Sequence, residues 1–414
     1  MSLTIAGMGT ANPDHVLTQE DALELAQQIC CQNDDQAKLL KVLYRRSGIR
    51  TRRTIVSSNL VREWVQWSGT SRSPTDAART SHSHTQAVPG PHIATSSGAV
   101  PADAADSGGV ATMTVAAPPQ TQTQSSPPPV THGATTRERM ELYMQEAPKL
   151  AQRAAAEALE RAEVRPADVT HLVTVSCSGF AAPGVDIEMI SRLGFRPTIE
   201  RTHVGYMACH GSLNGLRVAR SFATADPNAT VLLCAVELCS LHYFTQWDPM
   251  KFMSNIIFGD GAAAIVGRHA VAGNEWRHVA SGSCLIPDSK DALQHVVSDH
   301  GFEVILSARL PDLIQDNLRP WLEGWLRQHG LTVDQVQSWA IHPGGPRVLN
   351  AVEGALGLPS SATAISREVL GEFGNMSSAT VLFILERLRR ADAPRPCVAL
   401  AFGPGLMAEA ALFE

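Results

Sequence analysis

From Thr135 to Glu414 the chain alternates short apolar runs with longer amphipathic stretches. THLVTVSCS, TVLLCAVEL and CVALAFG carry almost no polar positions, as strands buried on both faces do. Between them lie helical patterns: TTRERMELYMQEAPKLAQRAAAEALERAEV with Thr135 or Thr136 as N-cap, CHGSLNGLRVARSFATAD, and SATVLFILERLRRAD. Strands that alternate with helices predict an α/β fold whose sheets are covered by helices. The pattern recurs in both halves without a repeat of residues, which points to a duplicated architecture.

The N-terminal part is less regular. Leu3 to Gly7 reads as a strand, Gln19 to Cys31 as a helix, and Lys38 to Arg53 is a basic stretch. From Ser57 to Ala134 the composition turns to Ser, Thr, Pro, Ala, Gly and His, with little periodic hydrophobicity beyond VREWVQW. A segment of that kind buries too little apolar surface to offset its ordering entropy. We therefore expect 57–134 to be a passive, disordered insertion; a binding tail anchored by Trp64 and Trp67 is the alternative.

Composition excludes several classes. Of the 414 residues 44% are hydrophobic, enough for a packed core. A net charge of −6 offers no broad basic face, so no nucleic-acid partner is expected. The eight cysteines form no CxxC pairs, which argues against a zinc site and against a disulfide framework. No metal is expected. MSLTIAGMGTANP lacks the features of a signal peptide, and no apolar stretch reaches 18 residues, so no membrane span is expected. These features predict a cytoplasmic protein whose thiols stay reduced.

Three boundary residues carry the chemistry. Cys209, in THVGYMACHGSLNGLRVAR, sits between a strand-like run and a helix start. There the helix dipole favours thiolate, the form that attacks a thioester. Alone, Cys209 reads first as a small apolar residue under a helix. His342 ends a strand-like run in SWAIHPGGPRVLN, and Asn375 follows a glycine turn in GEFGNMSSATVLF. Each alone is an ordinary loop residue. Together, a thiol, an imidazole and a neutral amide donor form a set suited to acyl transfer.

At this point the residues resemble a family. The cysteine segment, FGDGAAA (Phe258–Ala264), IHPGGP (Ile341–Pro346), FGNMSSA (Phe373–Ala379) and AFGPGL (Ala401–Leu406) match, in order, the chalcone synthase superfamily of type III polyketide synthases. The resemblance covers nearly the whole chain outside the Ser57–Ala134 insertion. It implies a thiolase-like fold of two similar αβαβα halves in five layers. The first half would be 1–268, carrying the nucleophile and the 57–134 insertion; the second would be 269–414, carrying the histidine and asparagine.

The resemblance also implies roles. Cys209 would hold the starter and growing chain as a thioester, paired as thiolate with His342, while His342 and Asn375 bind the thioester oxygen during malonyl decarboxylation. Phe258 would be a gatekeeper; Val304 stands where a second gatekeeper phenylalanine is usual. Cys177, Cys239, His242, Ser254 and Ser377 would line the cavity. Phe402, Gly403, Pro404 and Gly405 would shape cyclisation, and Arg46, Lys41 and Arg45 would contact CoA. Ala182-Pro183 replaces a methionine-proline pair at a dimer interface, and a homodimer is expected. Substrates would be acyl-CoA and malonyl-CoA, with no bound cofactor; ELCSLHY leans towards fatty acyl starters. A single-condensation β-ketoacyl synthase, a cysteine thioester hydrolase and a catalytically silent binding protein are the rival readings.

Overall fold

The structure, a computed structural model, describes residues 2–67, 133–248, 251–269 and 275–414. Thirteen strands are found among the described residues, nine of them in one sheet of order β11-β12-β13-β8-β1-β7-β6-β4-β5. That sheet is two sheets joined at a narrow seam. β1 (Leu3–Ala11) meets β8 (Arg277–Leu285) through only two residue pairs, Leu3 with His278 and Thr4 with Arg277.

On one side of the seam β1 runs antiparallel to β7 (Asp260–His269), which runs antiparallel to β6 (Thr230–Leu238). β6, β4 (His171–Ser176) and β5 (Glu200–Gly205) are parallel, and β5 is the edge strand there among the described residues. On the other side β8 and β13 (Met407–Phe413) are antiparallel, as are β13 and β12 (Cys397–Gly403), while β12 and β11 (Ser338–Ile341) are parallel.

Helices form three further layers. α6 (Gly211–Ala225) and α11 (Ala379–Arg390) lie between the two sheets. The sequence shows why α11 takes that place: ATVLFILERLRR is apolar almost all round, and Ala379 to Leu385 are all buried. α4 (Thr136–Arg161) and α5 (Val185–Leu193) cover the outer face of the first sheet. α8 (Leu310–Arg327) and α9 (Pro346–Leu356) cover the outer face of the second. The strands serve two layers at once. In β6, Val231, Leu233 and Ala235 join the central core while Leu232, Cys234 and Val236 join the outer one. The five-layer α/β arrangement implied by the resemblance is therefore present.

α4 opens on a capping box, with the Thr135 hydroxyl accepting from Glu138 N and the Glu138 carboxylate accepting from Thr135 N. Its alanine stripe, Ala147, Ala151, Ala154 and Ala158, is wholly buried, and Ala154 and Ala158 lie against β1. Gly7 and Gly9 permit that approach: a β-carbon would stand 2.4 Å from Ala158 O and 2.3 Å from Ala154 O. An alanine at either would overpack the layer, at a typical cost of about 1–3 kcal/mol.

The sequence expectation for 57–134 fails at its start. Ser58–Trp67 is a helix, α3, with Val61 and Trp64 buried. Leu60, Val61 and Trp64 recur at helical spacing, and the Arg139 guanidinium stacks 4.9 Å over the Trp64 ring. Burial of that face outweighs the polar composition. The rest of the expected insertion, 68–132, lies outside the described residues.

Candidate active site

Backbone geometry delivers three side chains to one cavity. β5 ends at Gly205, and a short 3₁₀ turn, Ala208–His210, carries Cys209 into the start of α6. Tyr206 (φ 60°) and Ala208 (φ 51°) both occupy the left-handed region. Two such residues beside one side chain mark a turn held in place by its surroundings. His342 follows β11 directly, and its N–H donates to Leu400 O of β12 at 2.8 Å.

Asn375 follows α10 (Ala364–Phe373) through Gly374 at φ 70°, where a β-carbon would meet Ile257 O at 2.7 Å. Asn375 N donates to Ile257 O (2.7 Å) and Asn375 O accepts from Gly259 N (3.0 Å). The asparagine thus grips the loop that holds Phe258.

Asn375 Oδ1 accepts from Ser377 N at 2.8 Å, which fixes the amide and turns Nδ2 towards the Cys209 sulfur, 3.9 Å away. His342 is buried, yet neither ring nitrogen has a partner among the described residues. A buried imidazole that faces a cavity with both nitrogens unpaired is poised for a group that arrives there. Cys209, His342 and Asn375 all line one cavity of about 340 Å³.

Electrostatics follow from burial. Desolvation pushes the Cys209 thiol up to about 11; donors from Ser377 and Asn375 act against it, and the Glu237 charge adds to it. Desolvation pushes the His342 imidazole down to about 3, and the charge of His210 acts in the same direction. Burial therefore favours a neutral thiol and a neutral imidazole in this cavity. The ion pair implied by the resemblance needs a mutual attraction that exceeds both desolvation costs.

The remaining expected residues divide. Phe258, Val304, Cys177, Cys239, His242, Ser254, Ser377, Phe402 and Pro404 line the cavity. Gly403 and Gly405 are not among its lining residues. His242 is a fixed wall: Nε2 donates to Ser178 O (2.7 Å), Nδ1 accepts from Phe302 N (2.9 Å), and the ring stacks on Phe302 at 4.4 Å. Its imidazole is pushed down to about 3, chiefly by burial. Lys41, Arg45 and Arg46 are exposed on α2 (Asp34–Arg46), and none lines the cavity. Ala182-Pro183 is a cis peptide.

Two residues passed over in the sequence matter here. Glu237, fully buried in β6, accepts from Cys177 N (3.0 Å), Ser178 N (3.0 Å), Ser178 Oγ (2.6 Å) and Ser378 Oγ. Burial raises its carboxyl and these donors oppose the shift. The signal was a charged residue inside an apolar strand, TVLLCAVEL. Arg347, exposed in the first turn of α9, lines the cavity where α2 does not. Its signal was a cation directly after HPGGP.

Residues 123–270 match the family model for the N-terminal domain of chalcone and stilbene synthases, and residues 278–414 match the one for the C-terminal domain. The chain belongs to the chalcone and stilbene synthase family. Among curated members, 1,3,6,8-tetrahydroxynaphthalene synthase of Streptomyces peucetius subsp. caesius is 38% identical over 272 residues, 64% of this chain and 72% of that protein. The α-pyrone synthesis polyketide synthase-like Pks18 of Mycobacterium tuberculosis is 35% identical over 68% of this chain and 74% of its own. The crystal structure of PKS-I from the brown alga Ectocarpus siliculosus superimposes with a TM-score of 0.79 at 26% identity, covering 100% of this chain and 98% of that one.

This family member is thus a type III polyketide synthase, an acyltransferase that condenses malonyl-CoA and cyclises the product. Type III polyketide synthases work on CoA thioesters without a cofactor. No helix among the described residues is long and apolar enough to cross a membrane.

Proposed function

We propose that Cys209 is the acyl carrier, His342 its proton acceptor and Asn375 the oxyanion donor. Cys209 Sγ attacks the starter thioester while His342 accepts the thiol proton and returns it to the departing CoA sulfur. Malonyl-CoA then loses carbon dioxide. The electron pair of the broken C–C bond becomes an enolate whose oxygen is met by Asn375 Nδ2 and the N–H of the neutral His342 ring. The enolate carbon attacks the Cys209 thioester, and the cysteine sulfur leaves with the electron pair. The observation that carries this reading is the meeting of Cys209, the oriented Asn375 amide and the unpartnered His342 ring in one cavity.

The walls favour an aliphatic starter. Leu17, Leu25, Val56, Val61 and Met253 extend the cavity lining beneath α1 (Gln19–Cys30) and α3, and Val304 leaves the passage beside Phe258 open. CoA would lie at the mouth, with Arg347 beside the cavity and Arg46, Lys41 and Arg45 on the neighbouring helix as phosphate partners. The edge strand β5 and the exposed Phe180, Tyr206 and Met207 (61%, 51% and 43%) fit a second copy of this chain. The need for a reduced Cys209, together with eight free cysteines, fits a cytoplasmic setting.

Incubation with malonyl-CoA and acyl-CoA starters of graded length, read by mass spectrometry, tests the reading. Pyrone or resorcinol products from fatty acyl starters are expected. Release of free acid with malonyl-CoA untouched would mark a thioester hydrolase instead.

A further inference from the structure

The nucleophile turn is tied from behind to a buried carboxylate. His210 is 4% exposed and directly follows Cys209; its Nδ1 donates to Asn214 Oδ1, one helical turn on, at 2.6 Å. Asn214 Nδ2 donates to Glu409 Oε1 of β13 at 3.1 Å. Glu409 is 2% exposed, accepts from Ser283 Oγ at 2.9 Å, and pairs with Arg217.

The order of donors in this chain is fixed by chemistry. A carboxylate only accepts, so the Asn214 NH₂ must face Glu409 and its carbonyl must face His210. His210 therefore carries its proton on Nδ1. The opposite edge of the ring lies against the last residue of β12: a β-carbon at Gly403 would stand 2.1 Å from His210 Cδ2 and 2.4 Å from Nε2.

None of His210, Asn214 and Glu409 lines the cavity, so none touches a substrate there. Yet the turn they brace contains Ala208 at φ 51° and carries Cys209. Such a backbone conformation persists only where its surroundings over-determine it. A side chain that moves by about 1 Å from its productive position costs on the order of 100-fold in rate.

We propose that Glu409, Asn214 and His210 form a relay of positioning residues that wedges the His210 ring between α6 and Gly403 and so aims the Cys209 sulfur at His342 and Asn375. The proposal rests on Cys209 as the acyl carrier. The groups that face His210 are Asn214 and Arg217 on its own helix, Glu409 on β13 and His342 after β11.

A double-substitution cycle tests it, read as the rate of Cys209 acylation by an acyl-CoA, followed by intact protein mass without malonyl-CoA. That readout does not require condensation, so failure of the relay and failure of the polyketide reading are separable. Asn214→Leu removes both hydrogen bonds; His210→Phe keeps a ring of similar size without Nδ1. Each is expected to slow acylation at least 10-fold, with the half-saturating acyl-CoA concentration within 2-fold of wild type.

The double variant is expected to be no slower than either single one, because both cut the same relay. Glu409→Gln retains an acceptor for Asn214 and should keep acylation within 3-fold. If one single variant does not fold, the other and Glu409→Gln still decide the matter. Acylation within 2-fold of wild type in a folded single variant would overturn the proposal. So would losses that multiply in the double variant, or a change confined to half-saturation.

Discussion

The Nδ2 of Asn375 faces the Cys209 sulfur across 3.9 Å, although the two residues lie 166 positions apart in the chain. The amide is held in that sense by Ser377 N at its other end. A donor fixed in advance stabilises charge as it forms, with no reorganisation at the moment of reaction. Asn375→Ala should therefore lower the rate of malonyl-CoA decarboxylation by about 100- to 1000-fold. Starter loading on Cys209 should fall far less. Release of labelled carbon dioxide, compared with intact mass, separates the two steps.

The thiol and imidazole give a pH prediction. The Cys209 thiol is raised to about 11 and the His342 imidazole lowered to about 3, both chiefly by burial. A raised thiol means less thiolate at neutral pH, and thiolate grows as pH climbs towards the raised value. Alkylation of Cys209 by iodoacetamide should therefore accelerate steadily between pH 7 and pH 10. It should show no inflection near the ordinary imidazole value of about 6.5. A plateau already reached at neutral pH would show that mutual attraction overrides burial and that the resting state is the ion pair.

Val304 lines the cavity beside Phe302 and the gatekeeper candidate Phe258. Val304→Phe should narrow the passage. Long acyl starters should lose at least 10-fold in kcat/KM while acetyl-CoA is used as before. Competition between a short and a long starter in one reaction, read by product mass, checks this.

Much of this arrangement was legible in the sequence, for a physical reason. Cys209, His342 and Asn375 sit at element boundaries, where glycine, proline and capping residues mark the chain locally. Strands such as β6 and β12 stand between two helical layers and so read as unbroken apolar runs. Glu237 was not legible as a site residue, because its meaning depends on donors from the loop after β4 and from the turn before α11. The relay from His210 to Glu409 was hidden for the same reason. α3 was missed because composition over a long window hid a ten-residue helix whose Trp64 packs on the remote Arg139. The cations of α2 came from the resemblance and the basic stretch that carries them, whereas Arg347 is recognised only from its tertiary placement in the cavity lining.

Arg139 ties together the two sides of the segment expected to be passive. Its side chain stacks on Trp64 and donates to Ala134 O at 2.8 Å, and also to the carbonyls of Leu241 and Tyr243 beside the cavity. Replacing 68–132 with a short Gly-Ser linker should leave activity within about 3-fold, since loop length enters closure entropy only logarithmically. Trp64→Ala should instead destabilise the protein by about 3–5 kcal/mol. Urea unfolding and product formation on the same samples test both outcomes.

Peptide mapping of the acyl adduct formed with acyl-CoA tests the account most directly. A single acyl group on the peptide that contains Cys209 is predicted, together with loss of adduct and of all chain extension in Cys209→Ala. An adduct on another residue, or polyketide product from Cys209→Ala, would contradict the assignment of the nucleophile.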